Sequence, residues 1–294
     1  MIILQNQNET NRKSKKIGSR IVMKIIDCFN YFDEDLMLEI RLDTLFDYVD
    51  KFIICEATLD HAGNKKKLNF DFKKFKKYES KIKYLVIEDL PKEVKKFKKH
   101  WHPAHARDQY QRNALARGIS EFDPNDLIMI SDLDEIPNPL KISSFNEKDK
   151  YACFVQGNYL LRFNLLNTTE PKWYGTRMCR KKDLKSPQWL REIKTKKIPF
   201  YKFYKPKFDK FIFDGGWHFS SVKNAEGIFK KLNSYAEQQF NNDKFKNIET
   251  IKNKIVKKQD LFDRNYDFKV LEIDKTFPDY IFRNKKELFD FIYK

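Results

Sequence analysis

The sequence predicts an α/β protein: a mostly parallel, doubly wound sheet flanked by helices, with a helical C-terminal portion. Short apolar runs and longer periodic ones alternate through the first 135 residues, the strand and helix order that builds parallel sheets with right-handed crossovers. Several apolar runs end in polar groups, Asp27 and Asn30, then Glu56, then Asp132 and Asp134, as expected if a ligand sits beyond the carboxyl ends of the strands. With 294 residues, 41% of them hydrophobic and only eight glycines, the chain is long enough to bury one such core and too apolar to stay disordered.

Residues 1–20 turn polar after the fourth position and read as a disordered extension without a signal-peptide core. The fold is expected to begin near Ile21, with a first buried strand opening at Met23. In "DEDLMLEIRLDTLFDYV" the residues Leu38, Leu42, Leu45 and Val49 recur at steps of four, three and four, so a helix turns one apolar stripe to the core. "KFIICEA" and "KIKYLVIEDLP" follow as strands, "AHARDQYQRNALARGIS" as a helix and "LIMISDLDE" as the fourth strand. Beyond residue 150, "YACFVQGNYLLRFN", "KWYGTRMCRK" and "FIFDGGWHFSS" read as further strands, in part antiparallel. "AEGIFKKLNSYAEQQF" and "IETIKNKIVKKQDLF" read as helices. One domain is expected over 21–240, with 241–294 as a helical extension packed on it.

The formal charge of +17 suits contact with nucleic acid, an anionic membrane or a phosphorylated substrate, although lysine-rich usage giving a solvated face is the simplest reading. No spacing for a sequence-specific nucleic-acid module is present. Cys28, Cys55, Cys153 and Cys179 lie far apart in apolar stretches, which predicts buried free thiols in a reducing compartment. With no apolar run near the roughly 20 residues needed to cross a bilayer, a cytoplasmic protein is expected, touching the inner membrane face at most peripherally.

Three stretches carry candidate chemistry. In "LIMISDLDEIPNP", residues 127–139, strand alternation would turn Asp132 and Asp134 the same way and Leu133 to the core. Two carboxylates so close repel unless a cation joins them, and a hard ion such as Mg²⁺ or Mn²⁺ would hold a diphosphate there. A helix cap or an acidic loop paired with lysines is the structural alternative. In "DGGWHFS", residues 214–220, Trp217 offers a flat face for a sugar or base and His218 a further metal ligand; a glycine turn before a core tryptophan explains the same residues. In "HARDQYQRNALARG", Arg107 and Arg112 suit phosphate recognition or the holding of a neighbouring acid, against a reading as solvated ion pairs.

With these residues in view the chain resembles glycosyltransferase family 17. The resemblance rests on "IIDCFNYFDEDLMLEIRLDTLFDYVDKFIICEA", "ISDLDEIP" and "GGWHFS" followed by "AEGIFKKL", and spans roughly residues 23–235. It implies a GT-A fold over 21–240, a UDP-sugar donor (UDP-N-acetylglucosamine in the characterised branch), a divalent metal, Mn²⁺ or Mg²⁺, and inversion at the anomeric carbon. Carried over by motif, Asp132 and Asp134 hold the metal with Glu135 in the same site, and Glu56 lies near the nucleotide or sugar. Asp27, at the end of the first strand, joins the expected donor-binding residues. The chain is expected to depart from the animal enzymes in having no membrane anchor, secretory signal or disulfide-like cysteine set. A glycan or lipid-linked saccharide acceptor at the cytoplasmic face fits this better than an N-glycan.

An inverting displacement also needs a carboxylate to take the acceptor's proton. Glu192 in "WLREIK" and Asp214 beside the glycines are the candidates, since both follow the metal motif. A metal-dependent phosphoesterase or nuclease and a non-catalytic polyanion-binding protein are the competing readings.

Overall fold

The computed structural model describes residues 23–91, 103–196, 201, 204–234 and 247–294. The expected extension at 1–20 and the boundary at 240 lie outside the described residues. Within them the molecule is an α/β structure around one mixed sheet.

The parallel half comprises β1 (Ile25–Asn30), β2 (Lys51–Ala57), β3 (Ile82–Ile87) and β4 (Leu127–Ser131). β1 pairs in parallel with β2 on one side and β4 on the other, and β2 with β3. Alternate residues feed opposite layers. Phe29, Phe52 and Ile54 pack with α1 (Asp35–Leu45), whereas Ile26, Cys28, Ile53 and Cys55 pack against the other layer, α2 (Pro103–Ala114) and α3 (Ala116–Ile119). The predicted stripe Leu38, Leu42, Leu45 is fully buried. Each such leucine contributes about 1.5–3 kcal/mol by burial, more than the differences in helix propensity of under about 1 kcal/mol per residue, so packing holds α1. The helices lie on both faces, and the chain order reverses at β1, so the crevice opens beyond β1 and β4.

The second half is mixed. β5 (Glu135–Pro137) pairs antiparallel with β10 (Gly216–Ser220), which also runs parallel to β6 (Tyr151–Leu160). β6 also pairs with β7 (Leu165–Asn167), β8 (Lys172–Arg180) and β9 (Lys210–Ile212). β8 runs antiparallel to β4. Gly216 makes the β5 and β10 contact possible: its φ is +121°, and a Cβ there would lie 2.2 Å from the carbonyl oxygen of Ile136.

After α4 (Pro187–Glu192), α5 (Ala225–Ser234) and α6 (Ile248–Val256) bury a third cluster, Ile228, Leu232, Ile251 and Ile255, against Leu160, Leu161 and Leu165. The C-terminal portion carries α6 and α7 (Asp279–Arg283), and between them the strand β11 (Phe268–Val270), which joins the sheet beside β7. No described helix is long and apolar enough to cross a membrane.

Candidate functional site

The loops after β1, β2 and β4 open into a cavity of about 780 Å³, a size suited to a small-molecule ligand. One wall is Asn30–Met37, Leu59–His61, Asp108 and Arg112 of α2, and the turn Asp132–Asp134. The other is Asn158, Glu170, Trp173, the segment from His218 to Asn224, Lys230 and Lys231 of α5, and Asp260–Phe262 with Arg264 and Tyr266.

The turn is held from beneath by a fully buried arginine on α1. Arg41 donates to both oxygens of Asp27 at 2.8 and 2.7 Å, to Ser131 Oγ at 2.5 Å, and to the carbonyls of Asp132, Leu133 and Glu135 at 3.1, 3.2 and 2.9 Å. These contacts satisfy main-chain oxygens left over where β4 ends at Ser131, so the acids stand on a turn and not on a strand.

The two aspartates consequently meet different neighbours. Asp132 Oδ1 accepts from Arg112 at 3.0 Å and Oδ2 from Arg191 at 3.1 Å. Arg191 also forks onto Glu135 at 2.7 and 2.8 Å, and Glu135 accepts from the indole N–H of Trp173 at 2.8 Å and the backbone N–H of Asp132 at 3.0 Å. Burial opposes ionisation of Asp132, but Arg191 and Arg112 outweigh it and hold the carboxyl well below its usual range. For Asp134 burial wins: its pKa is raised despite His218 and Lys231 nearby.

His218 Nε2 and Lys231 Nζ each lie 4.0 Å from an Asp134 carboxylate oxygen. The tautomer of the buried His218 follows from its neighbours. Asn158 donates its amide Nδ2–H to the carbonyl of Glu170 at 2.9 Å, so its Oδ1 faces His218 Nδ1 at 3.0 Å and must accept from it. The proton then sits on Nδ1, and Nε2 turns a lone pair toward Asp134. Burial lowers the pKa of His218, which keeps the ring neutral. Trp173 stacks on that ring at 4.1 Å and 13°.

Across the cavity Lys223 reaches Asp33 at 2.6 Å and Glu34 at 3.4 Å, and Lys230 reaches Asp33 at 2.6 Å. Burial works against the Lys223 charge, but Glu34 and Asp33 raise its pKa.

Asp132, Asp134, His218 and Arg112 thus line one cavity, with Glu135 directly behind. The other expected residues stand elsewhere. Asp27 is fully buried with both oxygens taken by Arg41, so it supports the turn and is not presented to a donor. Glu56, also fully buried, accepts from the backbone of Asn69 and Phe70 at 2.8 and 3.0 Å, from Tyr84 at 2.8 Å and from Lys66, and so fastens the loop after β2. Arg107 ties the carbonyls of Pro91 and His61 at 3.0 and 3.1 Å. Trp217 alternates with His218 along β10 and faces away from the cavity, its indole N–H on the carbonyl of Thr276 at 3.2 Å; the cavity's tryptophan is Trp173. Glu192 is exposed and accepts from Gln188 at 3.1 Å, outside the cavity wall, while its neighbour Arg191 turns to Asp132 and Glu135. Asp214 is exposed at a turn with φ of +50° and is also outside the wall.

Among the described residues no three His, Cys, Asp or Glu side chains converge as a metal cage. The family model described as glycosyltransferase family 17 matches residues 10–281. The proteins named "Beta-1,4-mannosyl-glycoprotein 4-beta-N-acetylglucosaminyltransferase" from Homo sapiens and Rattus norvegicus are each 26% identical over 133 residues. Each match covers 42% of this chain and 24% of the relative.

Proposed function

Since the chain belongs to glycosyltransferase family 17, we propose that it is a metal-dependent inverting transferase moving N-acetylglucosamine from a UDP-sugar to a hydroxyl of a glycan or lipid-linked saccharide. The observation carrying this reading is the pair of facing acceptors, His218 Nε2 and the Asp134 carboxylate, 4.0 Å apart in the wall of a nucleotide-sized cavity beyond the parallel strands. Two acceptors turned toward each other call for a cation or a proton between them.

Mg²⁺ and Mn²⁺ commonly take one or two protein ligands and fill their remaining positions with water and phosphate oxygens. Asp134 and His218 fit such a site. Asp132 fits less well, because both its oxygens already serve arginines. The bound ion would supply Lewis-acid stabilisation of the diphosphate. Arg112, fixed between Asp108 and Asp132, and Lys231 bring further positive charge to the same wall. Glu135 and Trp173 orient the turn and the imidazole.

The phosphoesterase alternative needs a denser ligand set for two metals than this pair supplies. A cytoplasmic setting, with the basic surface against an anionic membrane, belongs to the same proposal; it is supported by four buried free thiols and the charge of +17.

The test is thermal stabilisation by UDP with and without MnCl₂, followed by UDP release from UDP-N-acetylglucosamine. Stabilisation by UDP should require Mn²⁺. Asp134→Ala should fold, lose that stabilisation and lose turnover. An Asp134→Ala protein with full metal-dependent turnover would overturn the assignment.

A further inference from the structure

The turn at Asp132–Asp134 lines the cavity where β4 ends. On one side the sheet continues through β1 and β2, on the other through β8 and β6. β8 runs antiparallel to β4, with Arg177 opposite Ile130, so the earlier residues of β8 reach past the end of β4. Trp173 therefore stands over the far side of the turn.

That indole is a fixed plate. Its N–H is held by Glu135 at 2.8 Å and one face lies on His218 at 4.1 Å. It nevertheless lines the cavity and keeps 36% of its surface open. Glu170, Arg264 and Tyr266 belong to the same wall of the cavity. Tyr266 donates to Glu170 Oε2 at 2.9 Å, and the backbone N–H of Asp267 donates to Thr169 Oγ1 at 2.9 Å, so the C-terminal segment fastens the loop bearing Glu170. Arg264 is clamped by Asp260 at 2.6 Å and lies over the Tyr266 ring at 4.5 Å.

A rigid aromatic side chain in a cavity wall that also carries a carboxylate and a guanidinium suits a sugar ring. Its C–H face meets the negative π-face, and its hydroxyls meet the charged groups. The nucleoside side of the donor belongs to the crevice beyond the parallel strands, which leaves this lobe to the second substrate. We propose that Trp173, Glu170, Arg264 and Tyr266 form a saccharide acceptor subsite in which Glu170 takes the proton of the attacking hydroxyl. The acceptor O–H bond breaks as its oxygen bonds to the anomeric carbon. The anomeric C–O bond to the diphosphate breaks with its electron pair on the phosphate oxygen, and the proton stays on Glu170. This rests on the transferase reading above.

The experiment uses the full chain, labelled, on a printed array of diverse glycans in the presence of UDP and MnCl₂, with UDP stabilisation measured in parallel. Wild type should bind a defined set of glycans. Trp173→Ala should lose that binding at least about tenfold and Trp173→Phe retain it. Because Trp173 also touches Glu135, Glu170→Gln is the second variant: the amide still accepts from Tyr266, so glycan and UDP binding should persist while transfer to the bound glycan falls about 10²-fold or more. Glycan binding unchanged in Trp173→Ala, or transfer unchanged in Glu170→Gln, overturns the proposal. UDP stabilisation without any glycan binding also overturns it, with the donor site left standing; loss of both would count against the transferase reading itself.

Discussion

Arg41 and Asp27 meet without solvent: both side chains are fully buried, and the guanidinium grips the carboxylate through bonds of 2.8 and 2.7 Å. Removing one partner strands a buried charge. Arg41→Met should cost about 3–5 kcal/mol in urea unfolding, and Asp27→Leu combined with Arg41→Met should recover only the part of that loss due to the stranded carboxylate. The double variant should still lack Mn²⁺-dependent stabilisation by UDP, because the carbonyls of Asp132, Leu133 and Glu135 lose their donor.

Asn158 sets the proton on His218. In ¹⁵N-detected imidazole spectra at pH 8, wild type should show a single Nδ1–H tautomer for this ring. Asn158→Leu removes the acceptor and should give a mixture of tautomers, while Asn158→Asp should restore Nδ1–H. A pure Nδ1–H signal in Asn158→Leu would contradict the geometry.

Gly216→Ala should lower stability by about 1–3 kcal/mol or more in urea unfolding. The obstacle is the backbone carbonyl of Ile136, 2.2 Å from the added carbon, which no side-chain rotation can move aside.

Burial pushes the thiols of Cys55 and Cys153 up to about 12, and raises those of Cys28 and Cys179 as well. Folded protein should resist iodoacetamide at pH 8, and urea-unfolded protein should take up four labels, one per cysteine. The folded state keeps these protons while the unfolded chain releases them above about pH 8.5. Stability should therefore fall as pH rises from there toward 12, by about 1.4 kcal/mol per unit for each thiol. Urea midpoints at pH 8 and 10 test this.

Glu192→Gln and Asp214→Asn should leave UDP release from UDP-N-acetylglucosamine within about twofold of wild type, since both carboxylates are exposed surface groups outside the cavity. A large loss in either would restore it as a candidate base.

The parallel half was legible because its signals are local. The stripe of α1 and the apolar runs of β1, β2 and β4 each fit within one element, and acids after a strand mark a crevice by topology alone. What escaped depends on direction and on distance along the chain. Trp217 and His218 are neighbours, and only pairing with β5 and β6 decides which one faces the cavity. Arg191 and Glu192 pose the same problem on α4. Arg41 sits inside the predicted stripe of α1, but the carbonyls it holds are more than 90 residues away. A cation within an apolar stripe, and Asp27 within an apolar strand, were the available clues.

Residues 260–266 help to wall the cavity while taking no part in the parallel strands. Under the proposed reading, substitutions at Arg264 and Tyr266 would change which target is decorated while leaving untouched the turn that grips the activated sugar.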